Sequence, residues 1–231
     1  MWNHSDFRFR EFKAHVAPFR TENGIRVTQL PVRERRDVKY VVMVRNPIDA
    51  IVSLYHFSKT HRDSWKRLWG GGGGFAPAKS IGETIDYVEK YDKRAPFTFF
   101  SNWLEYAGEE NVLFLHYTNV FKDTKKHLKI IAEFLEIHNI PEEKFDEIQK
   151  RVGIEHMKKN GDRYLYLGGV NKSIPILKPA GLVRAGGFRS KDSVTAEEKA
   201  RIHKIGRKKL SLEEFNMLNH GFEPILNQNN N

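Results

Sequence analysis

A parallel β-sheet flanked by helices, an α/β fold, is what these 231 residues predict, and three observations carry the prediction. Two short runs are continuously apolar rather than alternating, as in strands buried on both faces. Helix-starting residues follow each run closely. Strand then helix, repeated, argues for parallel strands joined by crossovers.

The first strand is Lys39–Val44 (KYVVMV) and the second Asn111–Tyr117 (NVLFLHY). Gly24–Leu30 (GIRVTQL) reads as a shorter third. After Val44, Asn46 can cap and Pro47 suits the first helical position, so a helix runs through Ile48–Phe57. Asp123 or Thr124 opens another, with Leu128, Ile131, Phe134 and Leu135 at helical spacing. Pro141 starts a third, placing Phe145, Ile148 and Val152 on one face. Thr195-Ala-Glu-Glu198 and Ser211-Leu-Glu-Glu214 match the capping box, and Gly221 ends the last helix. The five-glycine run Gly70–Gly74 follows Trp69 and precedes Phe75-Ala-Pro, so it reads as a flexible loop rather than a phosphate cradle. Residues 1–226 are expected to form one domain and Asn227–Asn231 a disordered amide-rich tail.

Composition narrows the function. Hydrophobic residues at 39%, sixteen of the chain's residues being Phe, support a core, while 29% charged residues keep the surface polar. No stretch approaches the roughly 20 apolar residues that span a bilayer. Zero cysteines exclude disulfides, thiolate metal sites and cysteine nucleophiles. A cytoplasmic location is expected, with no metal and no membrane partner. The formal charge of +10 favours anionic ligands, and a basic module for long polyanions stays open as a reading.

The sharpest anion site is the end of the first strand. Arg45 stands where the strand meets a capped helix, whose free N–H groups carry partial positive charge. Ligands of parallel sheets collect at such carboxyl ends. Ser53 lies two turns on and faces the same side. On these grounds alone Arg45 either grips a phosphate or pairs with Asp49.

Lys39–Phe57, KYVVMVRNPIDAIVSLYHF, resembles the sulfotransferase segment R-N-P-x-D-x-x-V-S-x-Y-x-H-F after a strand. The resemblance implies a P-loop-NTPase-like sulfotransferase fold and PAPS (3'-phosphoadenosine 5'-phosphosulfate) as cofactor, with adenosine 3',5'-bisphosphate as product. It implies that Arg45 and Ser53 hold the 3'-phosphate, and that the acceptor is a hydroxyl or amine of a small molecule or carbohydrate. Trp103–Leu135 resembles the family's W-x-E…N-V-L-x-L-x-Y-E-D stretch, giving Tyr117 an adenine contact, with Thr118-Asn119 in place of the acidic pair. Val152–Asn160 is similar to T-S-F-x-x-M-K-x-N, which implies Val152, Ile154 and Met157 beside the adenine. Leu182–Gly186 resembles F-x-R-K-G, so Arg184, Ala185 and Gly186 inherit a phosphate-cradling loop. Lys191–Thr195 only loosely resembles the family's dimerisation stretch, and a homodimer stays open.

Sulfuryl transfer needs a base for the acceptor and positive charge for the leaving phosphate. Phe12–Pro18 resembles the family's K-T-H-x-P motif, which makes His15 the catalytic base and Lys13 its charged companion. A rival register through Val27–Pro31 puts Gln29 at that place and implies an inactive site. The family's Y-P-K-S-G-T-T-W-like loop, which holds the 5'-phosphosulfate, does not occur in these residues. The expectation is an N-terminally truncated or diverged member with impaired activity, since each missing charge-assisted bond is worth about 1.5–3 kcal/mol. A non-catalytic relative that binds an adenosine phosphate or a partner is the alternative. Phe97, Phe99, Phe100 and Trp103 read either as an acceptor pocket or as core.

Overall fold

The computed structural model describes residues 15–63, 78–91, 96–161 and 194–226. Strands β1 (Phe19–Glu22) and β2 (Ile25–Thr28) form an antiparallel hairpin. Strands β3 (Tyr40–Val44) and β4 (Val112–His116) pair in parallel, with Tyr40 opposite Val112 and Val44 opposite His116. The parallel pair is therefore where the two apolar runs place it. Gly24–Leu30 holds the expected short strand, Ile25–Thr28, and its partner is β1 rather than the parallel pair. Asn23 and Gly24 both have positive φ (49° and 79°), the turn chemistry that couples two antiparallel strands.

Helix α1 (Pro47–Lys59) starts where predicted, with the Asn46 side chain accepting from the N–H groups of Ile48 and Asp49. Helices α2 (Ile81–Lys90) and α3 (Pro96–Leu104) precede β4. The second strand ends one residue early, because Tyr117 begins the short helix α4 (Tyr117–Lys122). Helix α5 (Thr124–Phe134) is capped by Asp123. Then come α6 (Glu142–Val152) and α7 (Ile154–Lys159). Of the expected apolar face of α6 only Phe145 is buried, and Val152 is 49% exposed. Helices α8 (Ala196–Arg207) and α9 (Leu212–His220) both carry the predicted capping boxes, and Gly221 at φ +97° ends the second.

The core explains the layering. Val42 and Val44 on β3, with Val112 and Phe114 on β4, face α1, α3, α8 and α9 through Ile51, Val52, Phe97, Phe100, Ile202 and Leu218. Leu113 and Leu115 point the other way, onto Phe134 of α5. All five β4 residues are buried, which is why the run shows no alternation. Phe97, Phe100 and Trp103 are core residues and Phe99 packs against them, so these aromatics form packing rather than a pocket wall. Asn111 fastens the segment before β3: its buried amide donates to the carbonyls of Val32, Arg35 and Val38. No described helix is long and apolar enough to cross a membrane, and no described cluster could hold a metal ion. The glycine run Gly70–Gly74 and the tail Asn227–Asn231 lie outside the described residues.

Candidate functional site

The register of the parallel pair builds the site. With Val44 opposite His116, the next residues, Arg45 and Tyr117, leave the two strands side by side at their carboxyl ends. The Arg45 guanidinium carbon sits 4.6 Å from the centre of the Tyr117 ring, a cation–π contact. Tyr117 in turn stacks on Phe121, with ring centres 6.1 Å apart, one turn further along α4. The Nε of Arg45 is buried and has no hydrogen-bond partner among the described residues. A buried guanidinium donor without an acceptor is costly, and an anion would relieve it. Beside it α1 begins, and although Asn46 caps its first N–H groups, the helix start adds to the positive potential.

Two buried polar side chains support these residues from behind. Asn46 caps α1 with its oxygen, while its Nδ2 donates to the carbonyl of Asn219 at 2.7 Å. His116 caps α4: its Nδ1 accepts from Thr118 N–H at 3.2 Å, so the proton sits on Nε2, 3.0 Å from the carbonyl oxygen of Leu218. Burial holds its pKa below the ordinary 6.5, although the Leu218 carbonyl and Asp49 act in the opposite sense and Lys122 adds to the lowering. The ring is neutral near neutrality, as both contacts require. Sequence reasoning passed over His116. The signal was present: one titratable residue closing an otherwise apolar strand, VLFLHY.

The other residues singled out from the sequence are dispersed. Ser53 is half-buried on α1, two turns beyond Asn46. Ile154 and Met157 are half-buried on α7, and Val152 is exposed at the end of α6. His15 is exposed. Its neighbour Val16 accepts a hydrogen bond from Trp103 Nε1 at 3.2 Å, and Trp103 packs on Tyr40 with ring centres 5.6 Å apart. Tyr40 opens β3 and Arg45 follows its end, a separation of about 16 Å along an extended strand. The structure thus brings Arg45 and Tyr117 together, whereas Val16, the residue after His15, is bonded to Trp103 near the Tyr40 end of the sheet. Lys13, Arg184, Ala185, Gly186 and Lys191 lie outside the described residues.

Comparison with known proteins agrees with this architecture. A family model described as a sulfotransferase domain matches residues 18–212. Sulfotransferase 1A1 of Bos taurus is 32% identical over 126 residues, covering 53% of this chain and 38% of its own. Sulfotransferase 1C2 of Oryctolagus cuniculus is 27% identical over 195 residues, covering 79% and 60%. Cytosolic sulfotransferase 12 of Arabidopsis thaliana is 37% identical over 131 residues, covering 52% and 35%. The chain thus spans between about a third and three-fifths of the length of these relatives. Among solved structures, mouse sulfotransferase SULT7A1 complexed with PAP superposes with a TM-score of 0.63 at 20% identity, over 83% of this chain and 65% of that one. Retinol dehydratase in complex with androsterone and inactive cofactor PAP gives 0.60 at 20% identity, over 78% and 49%. At such identity the likeness establishes a shared fold.

Proposed function

The chain belongs to the sulfotransferase family, and from that premise we propose that it binds PAPS at the carboxyl ends of β3 and β4 and serves sulfuryl transfer to a hydroxyl or amine acceptor. One observation carries the reading: Arg45 holds a buried donor without an acceptor among the described residues while its guanidinium lies on Tyr117, beside the start of a capped helix. A nucleotide phosphate supplies the missing acceptor, and an adjacent base has an aromatic face to meet. The PAP-bound sulfotransferase and retinol dehydratase that share this fold support the choice of nucleotide.

In this reading Arg45 and Ser53 hold the 3'-phosphate, and Arg184, Ala185 and Gly186 are proposed, on their motif alone, to bind the same phosphate. Tyr117, Val152, Ile154 and Met157 frame the adenine. The bound cofactor supplies the sulfuryl group; the protein orients it, neutralises the departing phosphate and removes the acceptor's proton. His15 and Lys13 are the residues proposed for that last step, on their motif alone. The acceptor is a small molecule or carbohydrate, and the location cytoplasmic.

A second reading, nucleotide binding without transfer, is favoured by one specific observation. The family match begins at Pro18, so it includes Gln29 and omits Lys13 and His15, and Val16 is held at the far end of the sheet from Arg45.

Calorimetric titration with adenosine 3',5'-bisphosphate tests the shared premise. Saturable binding that Arg45→Ala weakens supports both readings, whereas binding of long polyanions alone, with a steep salt dependence, overturns them. Transfer of radiolabelled sulfate, lost in His15→Ala, selects the enzyme; its absence in a protein that binds the nucleotide selects the second reading.

A further inference from the structure

The last carbonyls of a helix need donor partners from elsewhere, and in α9 these are unusual. Met217 O receives the N–H of Gly221, as a helix end ordinarily does. Leu218 O and Asn219 O receive side chains instead: the Nε2–H of His116 and the Nδ2–H of Asn46. These two residues stand directly before Tyr117 and after Arg45. Consecutive carbonyls of one helix are thus clasped by both strands at the ligand end of the sheet.

The chain beyond α9 tightens the same clasp. Gly221 turns at φ +97°, where an added Cβ would lie 2.7 Å from Asn119 Oδ1 and 3.3 Å from His116 Nδ1. Phe222 then packs edge-on against the His116 ring at 5.4 Å and accepts from Asn119 Nδ2 at 2.9 Å. Ile225 exchanges two 3.0 Å backbone hydrogen bonds with Phe114 on β4. Apart from Leu212, this segment lies beyond the residues that the family model matches.

We propose that the segment from α9 to Ile225 is a positioning element of the nucleotide site, acting through Asn46 and His116 on the backbone that carries Arg45 and Tyr117. This rests on the nucleotide-binding reading above. Neither Asn46 nor His116 need touch the ligand; they set the Arg45–Tyr117 stack. The clasp carries its own titration. A proton on His116 Nδ1 would face the Thr118 N–H, break the α4 cap and add a buried charge. The charged groups acting on the ring are Asp49 of α1 and Lys122 of α4. Helix α9 offers the Leu218 carbonyl, while its His220 acts on His203. Glu223 of the following segment is engaged by Lys126. Since folding lowers the pKa of His116, the clasp is whole above 6.5 and weakens as pH falls below that value.

Three proteins test this: wild type, His116→Gln, which keeps a donor for Leu218 O without titrating in this range, and Asn46→Ser, which keeps a cap for α1 and loses the bond to Asn219. In the ligand-free protein the Tyr117 ring resonances should move as pH falls below 6.5 in wild type and stay fixed in His116→Gln. In calorimetry with adenosine 3',5'-bisphosphate, Asn46→Ser should bind about tenfold more weakly with α1 intact by circular dichroism, the scale of a displaced binding group. Wild type should lose about tenfold more affinity than His116→Gln on acidification from about pH 7.5 to 5.5, which corrects for protonation of the phosphate itself. Tyr117 resonances that ignore His116, or Asn46→Ser binding like wild type, overturn the positioning role. Wild type that binds no nucleotide at any pH overturns the underlying reading instead, and the resonance titration then still decides the clasp.

Discussion

Arg45 and Tyr117 are adjacent in space because two parallel strands end in register, and the guanidinium carbon comes to rest 4.6 Å from the centre of the phenol ring. The pair is separated by more than seventy residues of sequence, yet it meets at the carboxyl ends of the two parallel strands, where the proposed nucleotide site lies.

Arg45→Ala should weaken adenosine 3',5'-bisphosphate binding by about 10- to 100-fold, the range of a charge-assisted hydrogen-bond pair. Arg45→Lys should recover only part of this, since an ammonium lacks the planar fork. Isothermal calorimetry at fixed salt measures both, and full recovery by lysine would contradict a forked grip.

Tyr117→Phe should bind like wild type, while Tyr117→Ala should lose about 0.5–2 kcal/mol from the missing ring face. Equal losses in both variants would show that the hydroxyl matters rather than the stack.

Gly206→Ala should destabilise the fold. The new Cβ would lie 2.6 Å from Phe97 Cε1 and 2.7 Å from Phe215 Cε2, both core rings. Overpacking of this kind costs about 1–3 kcal/mol, more than alanine's helix preference returns. Urea denaturation reads the change directly, and an unchanged midpoint would mean that the two rings shift freely.

Stability should fall on the acid side through Glu109. Its carboxylate bonds Arg33 at 2.6 Å and Arg36 at 2.8 Å, and the hydrogen bond from Arg33, followed by that from Arg36, holds its pKa below the ordinary 4.5. A lowered carboxyl pKa contributes stability above 4.5 that disappears as pH drops through the folded value. Glu109→Gln should flatten the stability profile below about pH 4.5 in thermal melts and leave its slope near neutrality unchanged.

Much of the fold was legible in the residues because its signals are local. Asn46 with Pro47, Asp123 with Thr124, and the two capping boxes at Thr195 and Ser211 announce helices through bonds spanning three residues, and all four helices start there. The Gly24–Leu30 strand was visible but its partner was not read. The Asn23-Gly24 turn that commits it to an antiparallel hairpin was overlooked. The aromatic run Phe97–Trp103 was ambiguous because spacing cannot distinguish a pocket wall from a core, and only the packing against β4, α8 and α9 decides for the core.

The chain by itself determined the two buried strands, the cap that sets Arg45 at a helix start, and the motif around it that belongs to sulfotransferases. Only the tertiary structure decided that Tyr117 lies under Arg45, that Val16 beside His15 is bonded to Trp103, and that Asn46 and His116 meet successive carbonyls of α9. Caps and strand composition depend on neighbours a few residues apart, whereas register and long-range hydrogen bonds depend on how distant segments satisfy each other's buried polar groups.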